Sequence, residues 1–391
     1  MARPSFLPRP RRIGRRLVAI VILCVSVTLA WRTFFEHDTA GAQAIPGTVI
    51  TLAPALHNCV QPTRFAMDFR VPTPASITGR VGLFVAKLAP GNDFKPVESV
   101  ALNADQVFPL ASAFKPSVLL AYLKQVDARK SSLEETFDVT AANQSLGDYP
   151  FDNSSARQLA ARMIQYSDNT ATDILFRRVG LGSLQPIADK LGLCRTRLML
   201  PTKDWWAAES GLTKTFPKAT LVAKARAFAK ASPLERLQTA RRLDQDAQAL
   251  NSETMRKALD AYFDGTRFDA NTMASIDLSL QNASTPEEWA RLLVFAFSDG
   301  ALSKAGRAAY REVMALGYGR GRVHHQFVYF GGKEGNTSHI LTLSGYMEQA
   351  DGSRLVYTFF NDRNVEIDTF ALAPSGFQII NAALDAVDRH P

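Results

Sequence analysis

FPLASAFKPSVLLAYL, residues 108–123, opens an apolar segment with a serine and a lysine three residues apart. Pro116 suits the first turn of a helix, where a missing N–H costs little. The spacing of the apolar residues beyond it predicts a helix over 115–128. Ser112 and Lys115 then stand one turn apart on one face. In the first reading, Ser112 is an N-cap and Lys115 snorkels to water. In the second, they are a nucleophile and its base. The rest of the chain has to choose between them.

With 391 residues and 46% hydrophobic composition, the chain can build one large domain or two modest ones. Its net charge of +8 is uneven. Residues 1–44 hold seven arginines against Glu36 and Asp38, a net of +5, which leaves only +3 for the remainder. The balance gives no reason to invoke nucleic acid. Basic residues up to Arg16, the apolar run at 17–31 and the small-residue site AQA at 42–44 read as an export signal. The run of 15 residues is short for a spanning helix, which needs about 20. Residues 1–44 are thus a cleaved signal or an uncleaved membrane anchor, and either would export the rest of the chain. Cys59 and Cys194 could pair outside the cell, or be two separate buried thiols. No Cys/His cluster has metal-ligand spacing, and no cofactor is expected.

Residues 45–78 read as an irregular lead-in. GRVGLFVAKLAP (79–90) is a strand, and 96–103 can return as its hairpin partner. Helical patterning runs from 113 to about 320, at 115–128, 154–164, 170–179 and 183–191 and then in a longer stretch. Strand patterning returns at 326–333, 338–347 and 353–361, and an amphipathic helix at 375–389 comes after it. Strands at both ends with helices between them predict one antiparallel sheet built from both termini, flanked by helices, plus an all-helical lobe. A site is expected in the cleft between sheet and lobe.

Two further short motifs come after Ser112 and Lys115. YSDNTATDIL gives Ser167 and Asn169 before a helix, and FGGKEGNTSHILTL gives Lys333 and Gly335 on a strand. Each motif alone is weak, but their order and contexts agree. Together they resemble the class A β-lactamases and the wider penicillin-recognising serine hydrolases, from about Gly79 to the C-terminal helix. The resemblance implies an α/β (α+β) β-lactamase-like domain over 79–391 with a five-stranded antiparallel sheet. It also implies an acyl-enzyme mechanism on a β-lactam or peptide-like amide, and a monomer is expected. Ser112 would be acylated, with Lys115 as its base, desolvated or beside another cation so that its pKa falls. Ser167 would relay the proton to the leaving nitrogen. Asn169 would hold Lys115 and the substrate amide, and Lys333 would attract a substrate carboxylate. The N–H groups of Ser112 and Asn336 would form the oxyanion hole, with Gly335 beside them.

The chain departs from that pattern in three places. Glu334 stands where the family carries Thr or Ser, and would repel a substrate carboxylate unless turned away or paired; either the substrate lacks that carboxylate, or Thr337 or His339 supplies the missing contact. No clear Glu-x-x-Leu-Asn loop succeeds the second motif. Glu209 is the partial match for the deacylating base, Asp204 the runner-up, and an exposed carboxylate beside a tryptophan-anchored loop the bland alternative. Residues 214–283 form a helical insertion, either a lid or a packing elaboration. Two alternatives to a hydrolase stay open: an anchored penicillin-binding sensor that deacylates slowly, and a peptidase or esterase acting on cell-wall substrates.

Overall fold

The computed structural model describes residues 59–63, 74–263, 267–366 and 368–388. The expected signal or anchor at 1–44, with its apolar run at 17–31, lies outside the described residues.

Five strands form one antiparallel sheet: β1 (Arg80–Leu88), β2 (Pro96–Leu102), β3 (Tyr329–Thr337), β4 (Ile340–Glu348) and β5 (Arg354–Asp362), in the order β2-β1-β5-β4-β3. β1 is apolar at nearly every position because both its faces are covered. Phe84, Ala86 and Leu88 enter one core, while Val81, Leu83 and Val85 enter the other. This is the two-residue alternation of a strand, with an apolar layer on either side. Burying a ring such as that of Phe84 stabilises the fold by about 2–3 kcal/mol.

The helices, in chain order, are α1 (Lys115–Asp127), α2 (Ala156–Gln165), α3 (Asn169–Val179), α4 (Gln185–Lys190), α5 (Thr202–Ser210), α6 (Leu221–Lys230), α7 (Pro233–Gln248), α8 (Ser252–Phe263), α9 (Ala270–Leu280), α10 (Pro286–Phe297), α11 (Lys304–Met314) and α12 (Ala373–Asp388). α12 packs on one sheet face and α10 on the other, each through its apolar stripe. α1 is buried at every position from Lys115 to Leu123 and is the central helix between sheet and lobe. It ends at Ala128, beyond which Arg129 turns left-handed at φ +57°. A third core gathers α5 to α9 around Trp205, Phe228, Leu243, Tyr262 and Ile276. Most of the insertion packs there through its apolar faces.

Three local expectations change. The strand expected at 326–333 begins at Tyr329 and runs on to Thr337, so Lys333 sits mid-strand. The segment read as a tryptophan-anchored loop is the helix α5, buried on nearly every side. Cys59 and Cys194, which the sequence allowed to be paired or separate, are disulfide-bonded across 135 residues.

Candidate active site

The segment before α1 is held from two sides. Phe108–Pro109 pairs with Ala283–Ser284, and Leu110 N–H donates to Asn282 O at 2.8 Å. From the sheet, Thr342 Oγ1 donates to Leu110 O at 2.9 Å and to Gly335 O at 3.1 Å. Gly335 has to be glycine here, because a Cβ on it would stand 2.6 Å from the backbone nitrogens of both Ser112 and Ala113. Edge strand β3 therefore lies directly against the turn that carries Ser112. Ala111, with φ +43°, bends the chain into the 3₁₀ turn Ala111–Phe114. Ser167 is likewise left-handed, at φ +56°. Such non-glycine residues cost about 1–3 kcal/mol and persist where neighbours over-determine them, which is common at functional sites.

Four of the expected residues converge. Lys115, fully buried, donates to Ser167 O at 2.5 Å, Ser167 Oγ at 3.1 Å and Asn169 Oδ1 at 2.8 Å. Lys333, from the sheet, reaches the same Ser167 Oγ at 3.1 Å. Asn169 is oriented by its own donation to Leu146 O at 3.0 Å. Asp168 caps α3 through Ala171 N–H at 2.9 Å and pairs with Arg162, which sets the turn that presents Ser167. Burial pushes the Lys115 amine well below its ordinary range, and the Lys333 cation lowers it further; nearby carboxylates oppose both. A neutral Lys115 keeps two N–H donors for Ser167 O and Asn169 Oδ1 and leaves a lone pair for a hydroxyl proton.

Ser112 is half-buried among buried neighbours, and its hydroxyl makes no hydrogen bond to another described residue. Lys115 is turned to Ser167 and Asn169 rather than to Ser112. Asn336 is next to Gly335 on β3, which as an edge strand turns alternate N–H groups out of the ladder.

Glu334 is paired, not turned away. Its Oε1 accepts from Lys333 Nζ at 2.7 Å, while its Oε2 is buried without a partner among the described residues. Thr337 and His339 are engaged elsewhere, Thr337 with Ser338 O and His339 with Asn364 O.

Glu209 lies in the last turn of α5, inside the lobe. It is fully buried, so the exposed-carboxylate alternative does not hold. Gln281 donates to its Oε1 at 3.2 Å, and the neighbouring Asp277 accepts from Tyr262 at 2.6 Å. Burial and the Asp277 charge raise its pKa well above the usual carboxylate range, and burial pushes Asp277 up to about 7. None of its described partners is Ser112, Lys115, Ser167 or Lys333. Asp204, also buried, is ion-paired to Arg177 at 2.9 Å.

The residue that sequence reasoning passed over is Asp173. It is fully buried and accepts from Thr202 N–H at 2.6 Å, Thr202 Oγ1 at 2.6 Å and Lys203 N–H at 2.7 Å. Thr202 Oγ1 also reaches Asn169 O at 3.3 Å. The start of α5, not its end, is thus tied to the second motif. Asp173 lies four residues after Asn169 on α3, a spacing that places both on one helix face.

The model of the beta-lactamase enzyme family matches residues 74–370. Beta-lactamase SME-1 of Serratia marcescens is 30% identical over 105 residues, which cover 26% of this chain and 34% of that protein. The matched part is thus about a third of that relative's length. Among solved structures, a beta-lactamase from Sphaerobacter thermophilus is 19% identical, with TM-score 0.52 and coverage of 80% and 93% of the two chains. A class A beta-lactamase of the last common ancestor of Gram-negative bacteria is 17% identical, with TM-score 0.51 and coverage of 79% and 94%. A mutant of PBP-A, solved as an acyl-enzyme complex with penicillin G, is 19% identical, with TM-score 0.50 and coverage of 78% and 90%. These structural likenesses bear on the fold alone. The family match spans well over half of the sequence, and the chain belongs to the beta-lactamase enzyme family.

Proposed function

We propose that this chain is an exported serine hydrolase, acylated on Ser112 by a β-lactam or related amide and freed by water. The observation that carries the reading is the meeting of two buried lysines on one hydroxyl, Lys115 and Lys333 each 3.1 Å from Ser167 Oγ. Substrate binding brings the Ser112 hydroxyl to the Lys115 lone pair, since catalytic hydrogen bonds tighten in the substrate complex. Ser112 Oγ attacks the carbonyl carbon as its proton passes to Lys115. The Ser112 and Asn336 N–H groups stabilise the oxyanion. As the C–N bond breaks, the proton moves from Lys115 through Ser167 to the leaving nitrogen. Water then attacks the ester carbon, gives its proton to Lys115, and Ser112 leaves with a proton returned. Glu209 is left out of this sequence because its partners lie in the lobe.

The disulfide between Cys59 and Cys194 supports export, since such bonds persist in oxidising compartments. The penicillin adduct of PBP-A supports a β-lactam as acyl donor. The location of Glu209 favours a second reading, in which the adduct persists and the chain is a sensor. Intact-mass measurement after exposure to benzylpenicillin tests both. A transient adduct on Ser112 and turnover, absent in Ser112→Ala, supports the hydrolase. A lasting adduct supports the sensor. No adduct with β-lactams or with a serine-directed fluorophosphonate overturns both.

A further inference from the structure

We infer that Glu334 turns the site toward acyl donors presenting an ammonium or amide N–H, rather than a carboxylate, to the wall formed by β3. The inference rests on the proposed acylation at Ser112. An ammonium has three N–H donors. Lys333 meets three acceptors within the protein: Glu334 Oε1 at 2.7 Å, Glu334 O at 3.0 Å and Ser167 Oγ at 3.1 Å. No donor is left over for a substrate carboxylate. The Lys333 charge is also matched by its neighbour, so the pair as a whole does not attract an anion.

Glu334 supplies what Lys333 withholds. The residue is 8% exposed, and its Oε2 has no hydrogen-bond partner among the described residues. A buried acceptor of this kind calls for a donor. It stands on the wall of a cavity of about 500 Å³ that also takes in Tyr166, Tyr318, Arg320, Arg322 and Phe370. Tyr166 precedes Ser167 and Glu334 is next after Lys333, so the cavity adjoins the second and third motifs. Its other wall is the loop at 316–322, fitted closely to β3. A Cβ on Gly332 would meet Tyr318 O at 2.4 Å, and one on Gly317 would overlap Gly332 O. Arg320 and Arg322 are exposed on the outer rim. An anionic group further out on the substrate can meet them, whereas the inner wall carries the Glu334 carboxylate, whose buried Oε2 a donor reaches only by a small side-chain shift.

The test uses the full chain and two probes that share one core: benzylpenicillin, and its 2-(diethylamino)ethyl ester, in which a cation replaces the carboxylate. Acylation rates of Ser112 are read by intact mass. The cationic ester is expected to react at least tenfold faster than the free acid, and Glu334→Thr to reverse that preference by tenfold or more. The near-isosteric Glu334→Gln guards against misfolding, and is expected to bring the two rates within threefold of each other. The inference is overturned if the wild type prefers the free acid and neither variant changes the rate ratio by more than threefold. A charge-free fluorophosphonate separates this failure from that of the parent reading. If it labels Ser112 while the ratios stay fixed, only the inference on Glu334 falls. If it does not label Ser112, acylation itself is refuted.

Discussion

Replacing Lys333 by methionine should move the pH dependence of acylation in a direction and by an amount that the geometry sets. In the proposed mechanism Lys115 is the base and acts only when neutral, so the acylation rate is expected to rise as pH passes through its pKa. Burial already holds that pKa well below the ordinary lysine range, and the Lys333 cation adds to the lowering. Both ammonium nitrogens lie 3.1 Å from Ser167 Oγ, so they stand no more than about 6 Å apart. At an effective dielectric constant of about 20, two unit charges at that distance repel by roughly 3 kcal/mol. Removing Lys333 relieves this repulsion, and the rising limb should move toward higher pH by roughly two units. Glu334, left without its partner, pulls in the same direction, because its charge favours the protonated amine. Glu334→Gln gives the control of opposite sign: with Lys333 kept and the carboxylate removed, the limb should move toward lower pH. The assay is the second-order rate of fluorophosphonate labelling of Ser112 from about pH 5 to 11, a range that reaches past the ordinary lysine value. A limb that stays within about half a pH unit in both variants, against the roughly two units expected, would refute Lys115 as the base.

Four further outcomes are set by the contacts. Ser112→Ala should abolish adduct formation by mass spectrometry while leaving the urea midpoint unchanged. Replacing Cys59 and Cys194 by serine opens a loop spanning 135 residues, and the chain-entropy relation puts the loss near about 5 kcal/mol, readable as a lower urea midpoint. Asp173→Ala removes the acceptor for three donors at the start of α5, and should cost about 3 kcal/mol, with increased amide exchange at Thr202 and Lys203. Asp277 has its folded pKa raised to about 7 from an ordinary value of 3.8, so it destabilises the fold progressively as pH rises between those values. Asp277→Asn should therefore raise the melting temperature at about pH 8 but not at about pH 4; an equal rise at both would show that titration is not the cause.

Much of the fold was legible because its signals are local. The apolar run of β1, the return at 96–102 and the amphipathic period of α12 each state their element within a short window. The site was partly legible for a related reason. A serine and a lysine one turn apart, a capped turn and a strand lysine keep their residue types even when the chain between them lengthens. α5 shows where such reading stops. Its sequence places Lys203, Asp204 and Glu209 where a surface helix would expose them, yet all three are buried. The partners that make this tolerable are Ala141 O and Ala142 O for Lys203, Arg177 for Asp204 and Gln281 for Glu209, and all lie tens of residues away. A helix buried on every side has no polar face, so no period marks it and it reads as a loop. The same limit governs Glu334. As a letter in the third motif it reads as a repulsive charge beside a substrate carboxylate. In place, it occupies Lys333 with one oxygen and leaves the other without a donor among the described residues. The motif letters therefore identify which residues meet, whereas the charge that the substrate encounters depends on how those residues are paired once they have met.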